Sequence, residues 1–346
     1  MRTIQLKTET GQSRIITGGH LSDVSDMISG SRLAVITDKN VGHFYRDRFP
    51  EGIVIEIEPG EKSKNLETVY SIYGQLLDSG IDRSDFILAI GGGVVCDLAG
   101  FIASTYMRGL KFGFVASSLL AQVDAAIGGK NGVDYENFKN IIGVIRQPEF
   151  VICDQDMLKT LEQKEFIGGL AEVIKYGAIM DTGLFEYCED HYTEIIEMNP
   201  IALDETIYRS AFNKSRLVEV DEFEKGERTK LNFGHTFAHA LEKMTGIAHG
   251  EAVAIGMIIA GAISVREGLL HEKKAMRLRS LIGKMRLPDT LDRAPAELFQ
   301  AIKKDKKKKG EKMGLVLLVD IGKSVIKYFD IDRLKLILDD LQLHSV

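Results

Sequence analysis

The chain has 346 residues, a hydrophobic fraction of 45% and a formal net charge of −6. A chain of this length is expected to form about two domains and to bury a substantial core. The negative net charge argues against nucleic-acid binding through a global positive field, although it leaves room for a local basic pocket.

In the first 155 residues, short apolar runs alternate with stretches of helical periodicity. Such stretches predict buried strands at residues 32–37, 52–57, 85–90, 112–115 and 150–154, and a helix over residues 65–77. Strands that are apolar on both faces are typical of a parallel sheet covered by helices. We therefore expect an α/β fold whose first domain, residues 1–155, is Rossmann-like.

Beyond residue 155, long helical periodicities dominate the sequence. They predict helices at residues 164–179, 200–220, 233–244, 251–267, 271–285 and 294–304, followed by an apolar hairpin at 314–319 and 324–331. The predicted second domain, residues 156–346, is thus mainly α-helical. Its most apolar run, residues 252–265, has 14 residues and is too short to span a bilayer, so we expect a buried core helix.

The cysteines and the start of the chain indicate a reduced setting. Cys96, Cys153 and Cys188 are odd in number and form no CxxC pair, so neither a disulfide framework nor a structural zinc ribbon is expected. The first residues lack the long apolar core of a signal peptide. We expect a cytoplasmic protein with no membrane or nucleic-acid partner.

Three histidines are concentrated in 15 residues of the second half. His235 and His239 share one helix face at i and i+4, and His249 follows a turn containing Gly246. Imidazoles at this spacing can enclose a divalent ion, usually with a carboxylate. Spacing alone does not identify the carboxylate that would complete the site. Glu172 is a candidate, because it lies at i, i+3 from Lys175 on a predicted helix of small and apolar residues. That pair is also consistent with an exposed ion pair.

Two glycine-rich segments in the first half suit phosphate groups. Gly91-Gly92-Gly93 ends a predicted strand, so its backbone N–H groups and the following helix could receive a pyrophosphate. Because Cys96 occupies the third glycine position of GxGxxG, a simple tight turn is an equally good interpretation. Further on, the flexible glycines of residues 128–132 (GGKNG), beside Lys130, Lys139 and Asn140, would also suit a phosphate, and Arg108 adds a bidentate donor.

Several long motifs, in order, resemble one family. GGGVVCDLAGFIASTYMRG, LLAQVDAAIGGKNGVDYENFKNIIG, GLAEVIKYGAI, DEFEKGERTKLNFGHTFAHALE and HGEAVAIGM are similar to 3-dehydroquinate synthases. The resemblance implies a divalent metal, usually zinc with cobalt as an alternative, held by Glu172, His235 and His249. His239 would then contact substrate or support the ligands.

The resemblance also implies the remaining site residues. NAD would contact residues in five segments of the first half: Glu61, Lys64, Gly92, Gly93, Val94, Asp97, Ser117, Ser118, Lys130, Lys139, Leu158 and Thr160. The substrate would meet Arg108, Asp124, Lys130, Asn140, Lys175, Lys214, Arg228, Asn232, His239 and Lys306. Arg108 would reach the substrate phosphate across a homodimer interface.

The implied activity is that of a lyase in aromatic amino acid biosynthesis. A 3-dehydroquinate synthase converts 3-deoxy-D-arabino-heptulosonate 7-phosphate to 3-dehydroquinate and phosphate. The reaction proceeds through transient oxidation by NAD, β-elimination, re-reduction, ring opening and an intramolecular aldol. Other sugar phosphate cyclases, of the inosose or valiolone type, act on substrates that lack a carboxylate, and a metal-dependent glycerol or alcohol dehydrogenase performs net redox chemistry. Lys214, Arg228, Asn232 and His239 together favour the dehydroquinate alternative over the other cyclases. The density of lysine around GGKNG, KYG and DKK argues against a dehydrogenase.

Overall fold

A computed structural model describes residues 1–28, 30–136, 138–290, 298–302 and 312–340. Contacts between Cα atoms divide the chain into two compact units. The first unit contains Met1–Phe166 and Ile207–Phe223, and the second contains Ile167–Thr206 and the described residues from Glu224 onward. The predicted domain boundary at residues 155/156 stays a prediction.

The described residues of the first unit form nine strands. In chain order they are β1 (Arg2–Lys7), β2 (Gln12–Thr17), β3 (Leu33–Asp38), β4 (Ile53–Ile57), β5 (Phe86–Gly91), β6 (Lys111–Ala116), β7 (Lys130–Tyr135), β8 (Phe138–Ile145) and β9 (Phe150–Cys153). Seven of them form one sheet in the order β1-β2-β9-β6-β5-β3-β4, and β7 pairs with β8 in a separate hairpin. Within the large sheet only β1 and β2 are antiparallel.

The apolar composition of the central strands explains this arrangement. Every residue of β5 and β9 is buried, as expected for parallel strands that are covered on both faces. Phe86 of β5 and Phe150 of β9 stack with ring centroids 5.8 Å apart. The helices of this unit that precede residue 150 are α1 (Val24–Met27), α2 (Lys39–Tyr45), α3 (Leu66–Asp78) and α4 (Gly93–Thr105). The expectation of an α/β fold with a parallel-dominant sheet and a helical C-terminal part is confirmed.

The second half is mainly helical. Its helices are α5 (Gln163–Met180), α6 (Thr182–Asp190), α7 (Tyr192–Ile196), α8 (Pro200–Val220), α9 (His235–Thr245), α10 (His249–Arg266) and α11 (Glu272–Lys284), with a final helix at Ile331–Asp340. Residues Ile207 onward of α8 belong to the first unit. Strands β10 (Lys312–Asp320) and β11 (Lys323–Asp330) form the antiparallel hairpin expected from the sequence.

Helix α10 is the core helix of the second unit. By length and composition it is the one described helix that could cross a membrane, but 72% of that window is buried inside the protein. The expected core helix at residues 252–265 is therefore confirmed. Its hydrophobicity is not confined to one face because the helix is surrounded by protein, and residues on all sides, including Val253, Met257 and Ile263, are fully buried.

Several expectations about elements were wrong or incomplete. The helix expected to follow the glycine turn begins at Gly93, inside that turn. The GGKNG segment, expected to be flexible, runs from a turn into strand β7 and is paired with β8. The hairpin β1–β2 and the short helices α6 and α7 were not predicted. Of the helix expected at residues 294–304, the structure describes residues 298–302, which are helical.

Candidate active site

Glu172, His235 and His249 meet in the second unit. Oε1 of Glu172 lies 3.4 Å from Nε2 of His235 and 3.5 Å from Nε2 of His249. Two ligand atoms at tetrahedral positions ~2.1 Å from one zinc ion would lie about 3.4 Å apart. The spacing of these atoms therefore suits coordination of a single ion. His239 lies one helical turn after His235, and the centroids of these two rings are 5.9 Å apart.

Close approaches between glycines bring the three residues together. A Cβ on Gly250, next to His249, would lie only 2.5 Å from the carbonyl carbon of Gly168, which precedes Glu172 by one helical turn. A Cβ on Gly256 would likewise lie 2.9 Å from the carbonyl carbon of Gly234, the residue before His235. Helix α10 thus packs directly on the backbone beside both other ligands, which only glycine permits at this separation.

The carboxylate of Glu172 has the environment expected of a cation ligand. Glu172 is fully buried, and neither of its oxygens accepts a hydrogen bond of ordinary geometry. Lys175, also buried, forms an ion pair with Oε2, which leaves Oε1 facing the two imidazoles. A buried carboxylate needs compensating positive charge, so this donor set fits a divalent metal.

Electrostatic interactions keep this cluster charged. Burial alone would raise the pKa of Glu172, but Lys175 and His235 outweigh it and hold the pKa well below its usual range. Burial lowers the pKa of His249, whereas its contacts with Glu172 and Glu242 raise it, with a net pKa of about 9. Without a metal ion, the His249 ring would therefore be protonated at both nitrogens at neutral pH. Metal binding must displace one of these protons.

The other predicted substrate residues of the second unit differ in burial. Arg228 is 1% exposed and lies in the 3-10 turn Glu227–Asn232. The side chain of Asn232 donates a hydrogen bond to Glu224 at 2.8 Å. His239 is exposed. Lys306 falls outside the described residues.

The glycine turn of the first unit joins β5 to α4. Gly92 is the N-cap residue of α4, and the N–H groups that follow have no acceptor within the helix. A Cβ on Gly92 would lie 3.2 Å from Oγ of Ser118, and one on Gly93 would lie 3.1 Å from Cβ of Ala125. Side chains would fill the cradle formed by this turn, so the glycines fit a backbone-bound pyrophosphate, with Val94 in the first turn of the helix.

Two ion pairs, each with a buried lysine and a partly buried aspartate, flank this turn. Nζ of Lys64 lies 2.5 Å from Oδ2 of Asp97, and Lys64 is only 4% exposed. Burial raises the pKa of Asp97 to about 6 although Lys64 opposes the change. Lys214, on α8, pairs with Asp124, which lies in the π-helical turn Ala121–Ala125.

The remaining predicted NAD and substrate contacts lie on turns and strands of the first unit. The backbone N–H of Ser117 donates to Gly91 at 2.9 Å, which ties this residue to the glycine turn. Lys130, Lys139 and Asn140 are exposed on the β7–β8 hairpin, Glu61 is exposed, Leu158 is fully buried, and Thr160 hydrogen-bonds with the hydroxyl of Tyr45 at 2.9 Å. Arg108 is exposed with φ of 69°, between Met107 and Gly109, which also have positive φ.

One further residue beside the ligands was missed from the sequence. Oε1 of Glu242 lies 2.7 Å from Nδ1 of His249, whereas Nδ1 of His235 lies 3.2 Å from the carbonyl oxygen of Phe233. A histidine that binds a metal usually donates a hydrogen bond from its other nitrogen. This general rule predicts an acceptor near His249, but it does not say which residue provides it.

Sequence comparison places these features in a known family. The 3-dehydroquinate synthase N-terminal family matches residues 54–168 and the 3-dehydroquinate synthase C-terminal family matches residues 169–308. The chain belongs to the 3-dehydroquinate synthase family. It is 40% identical over 314 residues to a 3-dehydroquinate synthase of Geotalea uraniireducens, with 87% of each chain covered. It is also 40% identical over 339 residues to that of Streptococcus mutans, covering 93% of this chain and 95% of the relative.

Solved structures give a consistent picture of the fold. A 2-deoxy-scyllo-inosose synthase complexed with carbaglucose-6-phosphate, NAD+ and Co2+ superposes with a TM-score of 0.87 at 25% identity, covering 98% of this chain and all of the other. The 2-epi-5-epi-valiolone synthase of Streptomyces hygroscopicus, with NAD+ and Zn2+ bound, gives 0.85 at 26% identity, covering 98% and 99%. A protein described as a probable glycerol dehydrogenase of Sinorhizobium meliloti, at 14% identity and a TM-score of 0.62 with 96% of both chains covered, shares the fold.

Proposed function

We propose that this chain converts 3-deoxy-D-arabino-heptulosonate 7-phosphate to 3-dehydroquinate and phosphate, with NAD and a divalent metal ion, as a cytoplasmic homodimer. The observation that carries the proposal is the convergence of Glu172, His235 and His249 beside the buried Lys175. Identities of 40–41% to 3-dehydroquinate synthases, against 25–26% to the inosose and valiolone synthases, favour this reaction over the other cyclisations.

The metal would be held by Glu172, His235 and His249. A bound divalent ion acidifies a coordinated hydroxyl and polarises a carbonyl. Lys175 keeps Oε2 of Glu172 occupied and so fixes the carboxylate with Oε1 toward the imidazoles. Zinc and cobalt are both compatible with this one-carboxylate, two-imidazole donor set.

The dinucleotide would lie on the turn at Gly92 and Gly93. Bound NAD supplies the acceptor and donor of the transient hydride transfer. The N–H groups at the start of α4 would bind the pyrophosphate, assisted by the positive end of the helix dipole. Lys64, held against Asp97, fixes the position of the Asp97 carboxylate, which lies one turn into the same helix.

Two sets of cations would bind the two anionic ends of the substrate. Arg228 is almost fully buried, so its guanidinium is held in place and suits bidentate binding of the substrate carboxylate together with Lys214. The phosphate would be bound by Lys130, Asn140, Arg108 of a second copy, and Lys306, with Asp124, Asn232 and His239 contacting hydroxyl groups. Arg108 is exposed, so its side chain is accessible to a second copy.

The assignment of Arg228 is tested by its selectivity. We expect Arg228→Ala to raise the KM for the heptulosonate phosphate at least 10-fold, because a charge-assisted bidentate contact contributes about 1.5–3 kcal/mol. A heptulose phosphate without the carboxylate, already a poorer substrate, should be affected far less. Equal losses for both substrates would contradict the carboxylate assignment.

A further inference from the structure

The two imidazoles of the metal-ligand cluster have different partners at Nδ1. For His235 the acceptor is a neutral backbone carbonyl, that of Phe233, at 3.2 Å. For His249 it is the carboxylate of Glu242, at 2.7 Å. A carboxylate is the stronger acceptor and carries charge, so His249 has the more firmly defined ring orientation of the two.

The local fold accounts for this contact. Glu242 lies in the last turns of α9, and His249 is the first residue of α10. Gly246, with φ of 71°, ends α9 in the left-handed conformation and turns the chain toward the next helix. The carboxylate of Glu242 is consequently placed beside the His249 ring, with its side chain only 11% exposed.

The two imidazole rings also differ in how far they are buried by the surrounding protein. The His235 side chain is 13% exposed, whereas that of His249 is 36% exposed. Because packing restrains His249 less, a hydrogen bond at Nδ1 has the greater part in setting its orientation. An imidazole can coordinate a metal through Nε2 only when its remaining proton is on Nδ1.

We propose that Glu242 is a positioning residue for the metal site. By accepting the Nδ1 proton of His249, it fixes the tautomer and directs the Nε2 lone pair toward Oε1 of Glu172, 3.5 Å away. Its negative charge also makes His249 a stronger ligand. The inference rests on the proposed function only in requiring that the cluster bind a divalent ion.

The test is a measurement of metal affinity that is independent of turnover. Wild-type protein, Glu242→Ala and Glu242→Gln are titrated with Zn2+ and Co2+ in competition with a chromophoric chelator, and the Co2+ absorption spectrum is recorded. We expect Glu242→Ala to weaken binding roughly 10–100-fold and to change the spectrum. Glu242→Gln keeps an acceptor without the charge and should fall between Glu242→Ala and the wild type.

A matched control separates this effect from general destabilisation. Glu267 is in the same unit and pairs with Lys327 and Arg333 without contacting the cluster. Glu267→Gln should reduce thermal stability and leave metal affinity unchanged. A loss of affinity in Glu267→Gln equal to that in Glu242→Ala would overturn the inference.

A double-mutant comparison tests whether Glu242 acts through His249. In a His249→Ala background, removing Glu242 should change metal affinity by less than about twofold, because the ring that it orients is gone. An equal loss in both backgrounds, or unchanged affinity in Glu242→Ala, would overturn the role of Glu242 while the metal site stands. Absence of Zn2+ and Co2+ binding by the wild-type protein would overturn the metal site itself.

Discussion

The packing of α10 against α5 makes Gly250→Ala a sensitive perturbation of the cluster. The added Cβ would lie 2.5 Å from the carbonyl carbon of Gly168. Because that atom belongs to the backbone, no side-chain rotation can relieve the clash. Contacts of this kind normally exceed ~3.4 Å, so the two helices must separate by about 1 Å. Since His249 is the neighbouring residue, its distance from Glu172 should change by a similar amount.

The magnitude follows from overpacking and from metal geometry. Forced insertion of a methyl group into a close-packed region costs about 1–3 kcal/mol, which corresponds to a fall in Tm of roughly 2–12 °C for a unit of this size. Metal–ligand distances tolerate only about 0.2 Å. Displacement of His249 by several times that amount should weaken zinc binding at least ~10-fold.

Gly261→Ala is the matched control for this substitution. Gly261 is on the same helix, but a Cβ there would meet only Cδ2 of Leu278, at an ordinary 3.6 Å. We expect Gly261→Ala to keep its zinc affinity and to gain up to ~1 kcal/mol from helix propensity. Thermal unfolding and zinc titration of both variants provide the comparison. Identical Tm and zinc affinity in the two variants would refute the reasoning about the Gly168–Gly250 approach.

Two further predictions concern buried charges. Burial raises the pKa of Asp97 to about 6, so between pH 4 and 6 the native state keeps a proton that the unfolded chain has lost. The contribution of Asp97 to the free energy of unfolding should therefore fall by about 2–3 kcal/mol as pH rises from 4 to 6.5. Denaturant titration at several pH values gives the free energy of unfolding of wild type and of Asp97→Asn. The difference between the two should change with pH by this amount, and a difference that does not depend on pH would contradict the prediction. Glu172→Ala removes the charge beside Lys175 and should lower stability by about 3 kcal/mol while abolishing tight zinc binding; retained zinc at wild-type affinity would exclude Glu172 as a ligand.

Much of the fold could be predicted because the relevant patterns are local. The β5 run is apolar on both faces, and α8 was placed at its observed bounds, Pro200–Val220, from periodicity alone. Helix α10 was recognised as a core helix from its length and composition. The hairpin of β7 and β8 was missed because its glycines and lysines are equally typical of a loop, and its pairing depends on residues on the partner strand.

The candidate site was predictable only in part, for a similar reason. The spacing of His235 and His249 indicated a metal site, but His239 fitted that spacing equally well, and only the resemblance assigned the third ligand to Glu172. Convergence of the three residues depends on glycine contacts between α5, α9 and α10 that no single segment reveals. Glu242 was overlooked because its partner lies across a turn, where helical spacing carries no information.

Phosphate release with limiting NAD+ tests the central claim most directly. The protein is incubated with 3-deoxy-D-arabino-heptulosonate 7-phosphate and a small fraction of an equivalent of NAD+, and phosphate and NADH are followed together. Many phosphates should be released per NAD+ without NADH accumulation, and a chelator should stop the release until Zn2+ or Co2+ is restored. NADH accumulating in proportion to substrate, or release unaffected by complete removal of the metal, would contradict the account.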